Sequence, residues 1–81
     1  MIYSVYIIQS LSDDSYYIAY TYNLDKRLSQ HDSAKSGYTS KKQPWILKYS
    51  ESFIDKSEAI KREHFLKNQK NRNFIERLTK P

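Results

Sequence analysis

Cysteine is absent from this chain. Without thiols there is no disulfide framework, no zinc–thiolate site and no cysteine nucleophile. That absence is compatible with extracellular life, but nothing in the sequence argues for it. Glycine occurs once, at Gly37. One glycine cannot build a glycine-rich phosphate loop. The two histidines, His31 and His64, are not at metal-ligating spacing. No nucleophile-elbow sequence is present. No apolar run approaches the ~20 residues needed to span a bilayer, so no membrane partner is expected. The first residues, Met1 to Tyr6, have no basic region ahead of their apolar positions. They suggest a strand, not a signal peptide, and a cytoplasmic protein.

What the chain has instead is tyrosine and positive charge. Eight of its 81 residues are tyrosine, and its net charge is +5. Tyrosine supplies an apolar body with a polar tip, which lets a short chain build a core. A chain of this size buries roughly 60% of its unfolded surface and has room for one core, so residues 1–81 are expected to form a single domain. Lys41, Lys42 and the stretch 56–80 hold much of the basic charge. A polyanion such as nucleic acid fits that distribution. Modest positive charge is also common among small soluble domains.

Residues 2–9 carry Ile, Val and Tyr and suggest a strand. Residues 11–15 are turn formers, and residues 16–21 suggest a second strand. Asn23 can cap a helix to about His31, with Leu24 and Leu28 on its apolar side. Residues 32–44 are polar and read as a loop ending at Pro44. Trp45 to Phe53 alternates as a third strand. Asp55 and Glu58 resemble a capping box opening a helix to about Asn68. Asn71 can start a last helix carrying Phe74, Ile75 and Leu78. The expected fold is α+β, a three-stranded antiparallel sheet flanked by helices in the order β-β-α-β-α-α.

A hairpin turn centred between Asp13 and Asp14 places Tyr6 opposite Thr21 and Ile8 opposite Ala19. Strand alternation then puts Ser4, Tyr6, Tyr17, Ala19 and Thr21 on one face. Tyr3, Val5, Ile7, Tyr16, Ile18 and Tyr20 share the other, which is the better candidate for core. The first face has two tyrosines among small neighbours, with room around their hydroxyls. Tyrosine is also simply a good strand residue, so the pair alone decides little.

Arg27 and His31 are four apart and share one helix face. Arginine grips phosphate bidentately, and histidine exchanges protons near neutrality. A solvated face is the alternative, since Asp25, Lys26, Ser29 and Gln30 are equally polar. Glu63 carries more information. At ~100° per residue it falls inside the apolar arc of Ala59, Ile60 and Leu66. A carboxylate there must be paired, bind a cation or floor a pocket.

Taken in order, these residues resemble the GIY-YIG nuclease family. The likeness is to its small stand-alone bacterial members, similar to the nuclease domain of the excision-repair endonuclease subunit. S-V-Y at Ser4 to Tyr6 stands where the family has G-I-Y, and Y-I-A at Tyr17 to Ala19 stands for Y-I-G. The segment from Tyr20 ends in R-L-S-Q-H at Arg27 to His31, similar to the family's R-L-x-x-H. Gly37-Tyr38-Thr39, Pro44-Trp45 and the run from Ser57 to Glu63 also resemble that branch.

The resemblance implies hydrolysis of DNA phosphodiesters with one divalent metal, Mg²⁺ or Mn²⁺. RNA carries the same bond and stays open as a substrate. By the same resemblance Glu63 is the metal ligand, Tyr17 activates water and Tyr6 supports it. Arg27 stabilises the pentacovalent phosphate, His31 lies near the nucleophile, and Tyr38 is a further pocket residue. Lys41 and Lys42 are candidate substrate contacts. Hard cations take oxygen ligands and tolerate one carboxylate plus waters and phosphate. Tyrosine's pKa of about 10 makes it a poor base unless nearby positive charge lowers it or it relays its proton. Two positions depart from the family pattern. Ser4 replaces the first glycine, and Ala19 adds a methyl to the tyrosine face. The alternative function is therefore a nucleic-acid-binding module with weak or no catalysis. A protein-interaction domain with a solvated basic face is a third reading. A nuclease this small would act on damaged, branched or foreign DNA, with low specificity or specificity supplied by a protein partner.

Overall fold

The computed structural model describes residues 1–33, 39–69 and 72–80. Its elements follow the expected order. Strands β1 (Tyr3–Ser10) and β2 (Tyr16–Thr21) lead to helix α1 (Leu24–Ser33). A 3₁₀ turn (Thr39–Lys42) precedes β3 (Trp45–Phe53), α2 (Lys56–Lys67) and α3 (Arg72–Thr79). The sheet is antiparallel in the order β2-β1-β3. Among the described residues no helix is long and apolar enough to cross a membrane.

β1 is the central strand, and Val5, Tyr6, Ile7 and Ile8 are all fully buried. Both faces of the sheet are therefore covered. On one, Val5 and Ile7 pack with Ala59 and Leu66 of α2 and Ile75 of α3. On the other, Tyr6, Ile8, Ala19 and Trp45 cluster beneath Leu24 and Leu28 of α1. For Tyr6, this corrects the expectation that the tyrosine face leaves room around its hydroxyls; Tyr17 is only half-buried. Tyr6 lies in a second small core, because α1 folds back over that face.

The hairpin register also differs from expectation. Tyr6 pairs with Ala19 and Ile8 with Tyr17, two residues from the pairing a turn at Asp13-Asp14 would give. Local hydrogen bonds explain the shift. Ser10 Oγ accepts from the amides of Ser12 and Asp13, and the Asp14 amide donates to the Ser10 carbonyl. Asp14 takes φ 65°, a left-handed conformation that aspartate tolerates better than most residues. The result is a longer loop in place of a two-residue turn. Because side chains alternate with period two, an even shift keeps every residue on its expected face.

Two further details differ from the sequence reading, and a third is not tested. The segment read as loop over 32–44 contains the 3₁₀ turn, and α1 runs on to Ser33. Asp55 does cap α2, but its carboxylate accepts from the Ser57 amide and hydroxyl. The proposed start of α3 at Asn71 lies outside the described residues.

Candidate active site

Tyr17, Arg27 and Glu63 line one open cleft of about 650 Å³. They come from β2, α1 and α2. Arg27 lies over the tyrosine face of the sheet and Glu63 over the other. β2 is an edge strand, so the cleft wraps around its free edge and both helices reach it. Ala19 and Thr21 share the wall on the Arg27 side, and Tyr20 lines it from the opposite face of β2.

The Arg27 guanidinium bonds the Tyr6 hydroxyl and also engages that of Tyr17. Behind it, Tyr6 Oη lies 2.8 Å from His31 Nε2. Burial raises the Tyr6 pKa, and neighbouring Arg27 only partly opposes it. Tyr6 therefore stays protonated near neutrality and is no base. Arginine can only donate, so the Tyr6 oxygen accepts from it and keeps its own proton to give. A neutral His31 with the proton on Nδ1 receives that hydrogen bond. Burial first, and then the Arg27 charge, hold His31 below its ordinary pKa, which favours the neutral ring.

His31 is itself enclosed by rings. Its centroid is 5.0 Å from that of Tyr17, edge-on, and 6.4 Å from that of Trp45. Its carbonyl accepts from Gln43 Nε2, and Asp32 Oδ1 accepts from the Trp45 amide. His31 thus orients Tyr6 and packs Tyr17 from within, and it does not face the cleft directly.

Glu63 is 8% exposed, between buried Ala59 and Leu66. Lys67 Nζ stands 3.7 Å from one carboxylate oxygen and His64 Nε2 3.8 Å from the other. Both distances exceed a hydrogen bond, so neither neighbour saturates the carboxylate. Among the described residues no three His, Cys, Asp or Glu side chains cluster as a metal cage. One hard carboxylate opening into a roomy cleft fits the way Mg²⁺ binds, through one or two carboxylates with waters and substrate phosphate.

The remaining sequence candidates lie elsewhere or outside view. Tyr38 lies outside the described residues. Lys41 is exposed on the 3₁₀ turn. Lys42 forms an ion pair with Asp13, which pushes the Asp13 pKa well below the usual carboxylate range. Ser10 Oγ donates to the Lys42 carbonyl at 2.6 Å. Lys42 thus fastens the hairpin loop to the 3₁₀ turn.

Sequence reasoning overlooked Lys56 and Lys67, which both line the cleft. The signal was present. Lys56, Glu63 and Lys67 are spaced seven and four residues apart, which puts them on one helix face.

The three-stranded sheet and its flanking helices define a small α+β domain with a cleft at one sheet edge. Residues 2–76 match the family model described as the GIY-YIG catalytic domain, and the chain belongs to that family. Relatives carry the designation UPF0213. One from Staphylococcus haemolyticus is 41% identical over 64 residues, covering 78% of this chain and 77% of its own. One from Halobacterium salinarum is 39% identical over 64 residues, covering 78% and 82%. The solution NMR structure of a UPF0213 protein from Bacillus halodurans superposes with a TM-score of 0.60. That protein is 31% identical, and the match covers 94% of this chain and 81% of that one.

Proposed function

We propose that residues 1–81 act as one catalytic domain, a divalent-metal-dependent endonuclease that hydrolyses DNA phosphodiester bonds in the cytoplasm. The observation that carries this reading is the meeting of Tyr17, Arg27 and Glu63 in one cleft from three separate elements. Family membership supports the reaction class. Glu63 would hold Mg²⁺ or Mn²⁺. When bound, such an ion polarises the scissile phosphate and stabilises the leaving oxygen.

The chain's own groups supply the rest. Arg27 presents fixed positive charge to the phosphoryl oxygens as charge develops there. Tyr17, held against the His31 ring and near the guanidinium, positions the attacking water, takes up its proton and passes its own hydroxyl proton to solvent in the open cleft. Tyr6 is too buried and too weakly acidic for that step. Through its bond to Arg27 it fixes the guanidinium, and His31 fixes Tyr6.

One observation favours a second reading, a binding module with weak catalysis. The Ala19 side chain is buried and lines the cleft where the family sequence has glycine. The two readings part on incubation of supercoiled plasmid with Mg²⁺ or Mn²⁺ beside a Glu63→Ala control. Nicking or linearisation by the unmodified protein alone is expected. Salt-dependent DNA binding with no cleavage above the control would favour the binding module.

A further inference from the structure

Two smaller cavities adjoin the catalytic cleft, one at each end, and each shares a cationic wall with it. The first, about 200 Å³, is lined by Thr21, Tyr22, Asn23, Lys26, Arg27 and Gln30. It shares Arg27 with the central cleft. The second, about 370 Å³, is lined by Tyr16, Tyr17, Ile18 and Lys67. It shares Tyr17 and Lys67 with the central cleft. The three cavities therefore follow one another along β2, from its Thr21 end to its Tyr16 end.

β2 is one of the two edge strands of the sheet. Its six residues extend roughly 20 Å at ~3.3 Å each, enough for several consecutive phosphates of one strand. Cations recur along this path: Lys26 and Arg27 at one end, Lys56 in the middle and Lys67 at the other end. The first cavity sets two cations and three uncharged polar side chains beside Tyr22, and suits a phosphate. In the second, Tyr16, Tyr17 and Ile18 suit the sugar or base beside a phosphate held at Lys67. The Lys67 side chain is half exposed, and its 3.7 Å approach to Glu63 leaves its ammonium free to turn toward an anion.

From this continuity we infer that one strand of the nucleic-acid substrate runs along the β2 edge, with Lys26 and Lys67 binding backbone phosphates on opposite sides of the cleaved bond. This rests on the nuclease reading for what happens at the centre, but the track itself is a statement about binding. It also assigns work to two lysines that the catalytic groups do not need. Phosphate contacts of this kind position a strand without reading its sequence.

The test is fluorescence anisotropy of a labelled DNA oligonucleotide without divalent metal, so that no cleavage intervenes, over a range of salt concentrations. Lys26→Ala and Lys67→Ala are compared with Lys61→Ala. Lys61 is exposed, pairs with Glu58 at 3.6 Å and lies outside the three cavities, yet its loss removes the same charge. Each track variant is expected to weaken binding several-fold and to lower the slope of log affinity against log salt by about one phosphate's worth, while Lys61→Ala changes the slope little. Equal effects for all three variants, or no change in slope for the track pair, would overturn the track. Altered slopes in a protein that cuts nothing would leave the track standing and sink the nuclease reading. Cleavage with unaltered slopes would do the reverse.

Discussion

The two faces of β1 are equally buried and chemically unlike. Toward α2 and α3, Val5 and Ile7 pack with Ala59, Leu66 and Ile75, and Glu63 is the buried charge at the margin of that side. Toward α1, Tyr6 is just as enclosed, yet its hydroxyl bonds His31 and Arg27. The first face holds the domain together by area removed from water. The second spends part of its interior on a hydrogen-bonded ring cluster that ends at the cleft. A buried polar network is tolerated only when satisfied, and among the described residues no fully buried side-chain nitrogen or oxygen lacks a partner. The difference teaches where stability and chemistry separate around one three-stranded sheet.

Substitutions in the apolar core and at the cleft should separate accordingly. The largest effect is expected from Glu63→Gln, an isosteric change that removes the carboxylate charge from the cleft. Plasmid cleavage should be lost, while thermal unfolding shifts by no more than about 1 kcal/mol. Leu66→Ala, one turn away on the same helix but facing the apolar core, should invert that pattern. It should cost about 2–5 kcal/mol, read as a fall in Tm of several degrees per kcal/mol, with cleavage by the remaining folded protein retained. If Leu66→Ala and Glu63→Gln both damaged activity and stability alike, the separation of core from cleft would fail.

Arg27→Ala removes an exposed side chain from the cleft wall. A loss in rate on the order of 10²–10³ is expected, with stability changed by less than about 0.5 kcal/mol. Tyr6→Phe sharpens the comparison from inside. The ring stays packed, and only the hydroxyl that joins Arg27 to His31 is lost. Stability should fall by about 1 kcal/mol, and the rate should fall through misplacement of Arg27, with a pH profile unchanged in shape. A shifted profile would mean that Tyr6 itself exchanges protons.

The smallest expected effect is in pH dependence. Burial lowers the His31 pKa below its ordinary 6.5 in the folded protein. Above 6.5 the ring is neutral whether folded or unfolded, and its contribution to stability is complete. As pH falls below 6.5 the unfolded chain takes up a proton that the folded chain refuses, so stability declines until the folded pKa is reached. Urea titrations between pH 7 and pH 5 should show this decline in the unmodified protein and a weaker one in His31→Gln.

Much of this arrangement was legible in the residue order. The alternation of β1 and β2 assigned Tyr6 and Tyr17 to one face, and an even register shift left that assignment intact. The place of Glu63 inside an apolar arc marked it as a buried charge before any neighbour was known. Other features depended on tertiary contacts. The Ser10 and Asp14 bonds that set the loop compete with a turn equally allowed by composition. That α1 seals Tyr6 into a second core depends on how the helix folds back, which no local spacing specifies. The role of Lys42 was hidden for the same reason, since its partner Asp13 is far away in sequence. Lys67 was visible as a helix-face neighbour of Glu63, but only the free edge of β2 shows that the face opens into a groove.

The claim on which the rest depends is that Tyr17, Arg27 and Glu63 act on one bond as a unit. Groups that act together give losses that do not add. The most direct measurement is the plasmid cleavage rate of Tyr17→Phe, Arg27→Ala and Glu63→Gln, each alone and all combined. The account predicts that the combined variant is scarcely worse than the most damaged single one. Losses that multiply independently, or cleavage that persists undiminished in the combined variant, would contradict it.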